Sequence, residues 1–305
     1  MATLYTEADK NAHKTWLFMG VFLALIIAVG WFASYYFGSP AILYAAVVIS
    51  VLANIGSYWY SDKIVLALTH ARAIEKADNP VLYNIVENLA ITAGLPMPRL
   101  YIIEDPAPNA FATGRDKEHA AVAVTRGLLS LLDRTELEGV LAHELSHVGN
   151  RDILISTIVV VLAGLVTILS DFFLRFNRFG GRRDSNGKGN QLQLVLLVVG
   201  VVLAILSPII ATLIRFAISR KREFLADASG ALLTRYPEGL ARALTKISQY
   251  GGKMQTASNA TAHLFFANPF GPGKDGQISF LQKIFMTHPP VQERIQALLG
   301  GKRGE

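Results

Sequence analysis

The sequence contains no cysteine. Disulfides, thiolate metal sites and cysteine nucleophiles are therefore excluded, and any zinc must be held by His, Asp or Glu. Charge is also scarce. Only 17% of the 305 residues are Asp, Glu, Lys or Arg, where about a quarter is usual for a soluble domain. With 51% apolar residues and a mean hydropathy of +0.35, the chain is neither intrinsically disordered nor a coiled coil, and a purely soluble protein is disfavoured. The net charge is +6. Basic residues flanking apolar runs report membrane topology, so a lipid bilayer is the expected partner and nucleic acid is not.

No charged residue occurs over the 47 positions between Lys14 and Asp62. About 20 apolar residues cross a bilayer as a helix, so this stretch reads as two spans, roughly 16–37 and 41–60, around a turn at Gly38-Ser39-Pro40. Trp16, Trp31, Tyr35, Tyr36, Trp59 and Tyr60 lie towards the ends, where interfacial aromatics belong. The first span is too long for a cleavable signal peptide, and a second follows at once. Further uncharged runs cover 153–170 and 189–214, which brings the expectation to four transmembrane helices. The division is then a membrane hairpin (1–61), a first catalytic part (62–152), a second hydrophobic hairpin (153–216) and a second catalytic part (217–305). Nine basic residues in 61–152 and thirteen from Arg215 onward favour the cytoplasmic side. Arg175, Arg178, Arg182, Arg183 and Lys188 oppose that tendency, and the first hairpin is taken to dominate.

Within the polar segment, 61–77 mixes apolar and charged residues at helical spacing. A helix is expected over 80–93, opened by Pro80 and stopped by Gly94. Strands are expected at 99–104, 109–113 and 121–125, with a short helix from Gly127. Thr135 and Glu138 spell a capping box that opens a helix through His147, ending near Gly149-Asn150 or running on into the third span. Residues 251–276, rich in Gly, Asn, Ser, Ala and Pro, read as a long mobile loop.

The helix from Thr135 carries His143-Glu144-Leu145-Ser146-His147, an H-E-x-x-H pattern. Residues four apart share a helix face, so both imidazoles can address one ion while Glu144 reaches a water beside it. A catalytic zinc usually has a third protein ligand and an open position. A metzincin continuation would need glycine and histidine where this chain has Asn150 and Ile153, so that class is excluded. The strongest third ligand lies in Arg222-Glu223-Phe224-Leu225-Ala226-Asp227. Glu223 and Asp227 share a helix face, so one can bind zinc while the other accepts a ligand histidine's N–H. His263 and His288 are weaker rivals.

Asn109-Ala110-Phe111-Ala112, His143 to His147, Glu223 with Asp227, and Thr287-His288-Pro289 occur in that order, accompanied by four apolar runs. Over nearly its whole length the chain resembles the HtpX-type membrane zinc metalloproteases, relatives of the CAAX prenyl endopeptidases. The resemblance implies an α+β membrane protein whose mainly helical, gluzincin-like domain carries a small β-sheet. That domain would face the cytoplasm from a bacterial inner membrane and serve membrane-protein quality control. It implies one Zn2+ per chain on His143, His147 and Glu223, with Glu144 as general base and Asp227 orienting a ligand histidine. Asn109, Ala110 and Phe111 would form the edge strand that pairs with substrate backbone, and His288 or Arg294 would stabilise the oxyanion.

The expected function is therefore a zinc metalloendopeptidase (EC 3.4.24) acting on unfolded or membrane proteins at the membrane surface. A non-hydrolytic membrane adaptor for such proteins is the alternative, but an adaptor has no need of Glu144. A transporter would place ionisable residues inside its spans, and the four runs contain none.

Overall fold

The computed structural model describes residues 4–162, 220–258, 261–271 and 289–300. Two long helices come first, α1 (Leu4–Phe37) and α2 (Pro40–Leu68), turned back on each other at Gly38-Ser39. Gly38 sits at φ 62°, a left-handed conformation that glycine adopts without a Cβ penalty. Pro40 then opens α2, where its missing N–H costs no helical hydrogen bond. Both helices are long and apolar enough to cross a membrane, over Asn11–Tyr36 and Pro40–Leu68. The 26 residues of the first cover about 39 Å at 1.5 Å per residue. Of the third and fourth expected spans, only 153–162 fall within the described residues. The fourth run and the basic loop between the two lie outside them.

Beyond α2 follow β1 (Arg72–Ile74), α3 (Pro80–Ala93), β2 (Arg99–Ile103), β3 (Ala110–Thr113), β4 (Ala121–Thr125), α4 (Arg126–Leu131) and α5 (Arg134–Gly149). The helical reading of 61–77 is corrected here. The helix stops at Leu68, His70 turns the chain at φ 53°, and β1 pairs with β2. Gly94, at φ 64°, ends α3 as the sequence indicated. The sheet runs β1-β2-β4-β3, with β2 and β4 parallel and the other two pairs antiparallel.

Alternation along the strands divides the core in two. Leu100, Ile102, Ala110, Ala112, Val122 and Val124 face α3 and α5. Ile103, Phe111, Ala121 and Ala123 face the other way, onto Val65 and Leu66 of α2 and onto Met254, Leu264 and Phe265. A sheet covered on both faces needs apolar residues at every position, which is why Ala-Val-Ala-Val-Thr is buried throughout. The same packing seats the sheet on the polar end of the first hairpin. Arg99 of β2 pairs there with Asp62 of α2 at 2.6 Å.

Helix α5 is capped by Asp133, not Thr135. Asp133 Oδ1 accepts the Glu136 N–H (3.0 Å), and Glu136 Oε2 accepts the Asp133 N–H (2.9 Å). Both Asp133/Glu136 and Thr135/Glu138 spell a capping box. The first prevails because Glu136 is buried and also receives Lys246 at 2.7 Å. At the other end the chain bends by 85° into α6 (Asp152–Leu162). Arg151 makes the corner at φ 56°. Ile158 and Leu162 of α6 then pack against Met19 and Phe22 of α1.

The second half supplies α7 (Arg220–Thr234), α8 (Pro237–Gln249), a 3-10 turn (Ala262–Leu264) and α9 (Val291–Leu298). The part of 251–276 that is described does not read as the expected mobile loop. Asp105 Oδ2 accepts the N–H groups of Gln255 and Thr256 and the Thr256 hydroxyl, and Phe265 and Phe266 are buried.

Helix α7 crosses α5 at Gly230. A Cβ there would stand 2.9 Å from the backbone N of His143 and 3.1 Å from its Cα. The close approach is what brings the first turns of α7 beside the histidines. Gly230→Ala should cost about 1–3 kcal/mol by overpacking, whereas Gly149→Ala, with nothing within 4 Å of its new methyl, should not destabilise. Thermal unfolding in detergent checks this; equal melting temperatures for the two variants would contradict it.

Candidate metal centre

Helix α5 presents His143 and His147 one turn apart, with their Nε2 atoms 3.1 Å from each other. From α7, Glu223 brings Oε1 to 3.6 Å from His147 Nε2 and Oε2 to 3.9 Å from His143 Nε2. One potential ligand atom from each residue lies within 4.8 Å of the others. At tetrahedral zinc geometry neighbouring ligand atoms are about 3.3 Å apart, so the three fit around one ion with little movement.

Behind each imidazole stands a buried carboxylate. His143 Nδ1 is 2.9 Å from Asp227 Oδ1, and His147 Nδ1 is 3.0 Å from Asp152 Oδ2. An Nδ1–H given to a carboxylate leaves the Nε2 lone pair facing the centre. Behind each carboxylate stands an arginine. Arg294 forks onto Asp227 at 2.8 and 2.7 Å, and Arg222 approaches Asp152 at 3.4 Å.

The electrostatics differ on the two sides. Burial would depress the His147 imidazole, but the hydrogen bond to Asp152 and the charges of Glu223, Asp152 and Glu144 outweigh it and push it up to about 9. Burial pulls His143 down to about 4. Asp227 opposes that shift, while Arg294 and His147 add to it. Burial would raise Asp227, yet Arg294 holds it below the usual carboxylate range. Three carboxylates crowd His147, so the pocket favours a positive charge that a divalent cation can supply.

The cavity over this cluster is lined by His143, Glu144, His147, Glu223, Asp152 and Arg222, with Ala112, His263 and Phe266 on further walls. Glu144, His143, His147 and Glu223 therefore share one cavity. Arg294 does not belong to it. Its guanidinium lies on the Nδ1 side of His143, bound to Asp227 and 4.7 Å over the Phe266 ring. An oxyanion role was expected of Arg294, but its fork is bound to Asp227 behind the imidazole and it does not line the cavity. His288 lies outside the described residues.

The 109–111 edge is already engaged. Phe266 N–H donates to Ala110 O at 2.8 Å. Asn109 exchanges two hydrogen bonds with the Ala267 backbone, and the Phe111 ring packs edge-on against Phe265. Backbone groups alternate across a strand, so the next outward-facing pair is on Ala112, which lines the cavity.

Sequence reasoning missed the use made of three residues. Asp152, Arg222 and Asn11 are assigned no role there, and the structure brings all three together around His147. The only signal for Asp152 is a carboxylate five residues beyond the second histidine.

A zinc-type His-His-Glu cluster on a helical domain tied to a membrane hairpin defines a membrane-associated metalloprotease, and the chain belongs to peptidase family M48, whose model matches residues 76–301. It is similar to two proteins each named "Protease HtpX homolog". The one from Caldanaerobacter subterraneus subsp. tengcongensis is 46% identical over 299 residues, 97% of each chain. The one from Thermoanaerobacter pseudethanolicus is 47% identical over 302 residues, again 97% of each. The crystal structure of S. mikatae Ste24p shares the fold at 20% identity and a TM-score of 0.50; the match covers 92% of this chain and 62% of that one.

Arg294→Met leaves Asp227 buried without its cation, which should cost about 3–5 kcal/mol. Arg294→Lys should recover only part of that, because an ammonium cannot reproduce the two-pronged contact. Chemical unfolding in detergent measures both. A loss below about 1 kcal/mol for Met would show that the pair is not holding the fold.

Proposed function

We propose that the protein is a zinc-dependent endopeptidase of the gluzincin type (EC 3.4.24), with one Zn2+ held by His143, His147 and Glu223. The observation that carries this reading is the convergence of two Nε2 atoms and a carboxylate in one cavity, each imidazole backed by its own buried carboxylate. A bound zinc ion would polarise the scissile carbonyl and lower the pKa of water at the site.

The rest of the work falls to the chain's own groups. Glu144, in the cavity beside His143, takes a proton from the attacking water and returns it to the leaving amine. Asp227 and Asp152 hold the histidines in the tautomer that faces the centre. An extended substrate adds to β3 at Ala112, while Asn109 and Ala110 hold the 265–267 segment beside it. His263 also lines the cavity, and His288 is the imidazole proposed to stabilise the oxyanion.

The location of the centre supports a membrane-surface enzyme. Asn11, where the first candidate span begins, is hydrogen-bonded to Asp152. With the basic residues of 62–152 and 217–305, this supports a catalytic domain on the cytoplasmic face of a bacterial inner membrane. The division into two hairpins and two catalytic parts belongs to the same reading. Unfolded or membrane proteins are the substrates that reach such a site, which fits protein quality control.

The test is purification in detergent, with zinc per chain and cleavage of an unfolded protein measured side by side. Glu144→Gln should keep about one zinc and lose about 10²–10⁴-fold in rate. His143→Ala should lose the metal as well as activity. Zinc retained by His143→Ala would overturn the ligand assignment. Full activity in Glu144→Gln would overturn the base.

A further inference from the structure

The first membrane helix reaches into the candidate centre. Asn11 is 2% exposed. Its Nδ2 donates to Asp152 Oδ1 at 2.7 Å and to the Asn150 carbonyl at 3.2 Å. Its Oδ1 accepts from Arg222 Nη1 at 3.0 Å. Both polar atoms of the side chain are thus spent on the groups that surround His147. The Asp152 carboxylate uses its other oxygen for His147 Nδ1.

The two carboxylates differ in how they are held. Asp227 is fixed by a two-pronged arginine fork with both contacts under 3 Å. Among the described residues Asp152 has one arginine contact, at 3.4 Å. The short donor to Asp152 is Asn11, and charge-assisted hydrogen bonds of that length are the strong ones. Asn11 also bridges Arg222, so a single amide closes a loop through α1, α6 and α7.

We infer that Asn11 is a positioning residue of the metal centre: through Asp152 it sets the ring of His147, which makes the first membrane helix part of the site as well as its anchor. The inference rests on the zinc reading above. It also fixes topology. The segment before the first span lies on the same membrane face as His143 and His147, because a hydrogen bond cannot be made through the bilayer.

The test measures zinc affinity by competition with a graded chelator. The proteins are the wild type, Asn11→Ala, Asp152→Ala and the double variant, with Leu17→Ala as a control exposed on the same helix. Losing a partner behind a ligand histidine weakens metal binding by about 10–100-fold. Asn11→Ala should show a loss of that order and Leu17→Ala none. The Asn11 effect should vanish in the Asp152→Ala background, because the two act in series. A general packing defect would instead add to the Asp152 loss. Should Asn11→Ala aggregate, Asn11→Ser, which keeps a hydroxyl donor in a smaller side chain, takes its place in the same cycle. Wild-type zinc affinity in the Asn11 variant, or a loss fully additive with Asp152→Ala, overturns the inference and leaves the metal site standing. A wild-type protein that binds no zinc overturns the metal site itself, and the inference with it.

Discussion

Two carboxylates buried behind two histidines are the constraint on which the structure turns. An ionised carboxylate in a protein interior is costly unless it is paired and hydrogen-bonded, so Asp227 and Asp152 each require a cation and a donor from elsewhere in the chain. Asp227 takes both from Arg294 on α9. Asp152 takes them from Arg222 on α7 and Asn11 on α1. Satisfying two buried charges therefore gathers the first helix, the motif helix, the bent helix that follows it and two helices of the second half around one point. The apolar core supplies the bulk of the stabilisation, and the polar network decides where the elements meet.

The fold serves that point in particular ways. The sheet is small and covered on both faces, which makes it a rigid wall against which α5 lies. Its edge strand β3 runs past the cavity: 265–267 covers one part of it, and Ala112 lines the cavity. The 85° bend after Gly149 sends α6 away from the centre to lie beside the first membrane helix. That bend leaves Asp152 at the corner, within reach of His147.

Much of this was legible locally. Spacing alone put His143 and His147 on one face and Glu223 with Asp227 on another, because helical periodicity is a short-range property. Strands and helix stops followed from Val, Ile and aromatic runs and from Gly94. The capping box was read at Thr135/Glu138, and the structure forms it at Asp133/Glu136, where Glu136 also meets Lys246, 110 residues away. The role of Asn11 was illegible for the same reason: its partner Asp152 lies 141 positions away, and an asparagine at the head of an apolar run carries no signal of its own. The oxyanion role expected of Arg294 came from the family resemblance, which does not say on which side of the His143 ring its guanidinium lies. The 251–276 segment looked loose by composition, yet one buried carboxylate, Asp105, pins its described part.

In the proposed centre the paired histidines and Glu223 hold a single ion, with their Nε2 atoms and carboxylate facing it. The most direct measurement is anomalous diffraction at the zinc edge from crystals of the wild-type protein purified without chelator. One strong peak per chain is expected, within zinc-ligand distance of His143 Nε2, His147 Nε2 and a Glu223 oxygen, with the two Nδ1 atoms still turned to Asp227 and Asp152. A peak bound instead by His263 or by Asp152, or none in a protein that cleaves its substrate, would contradict it.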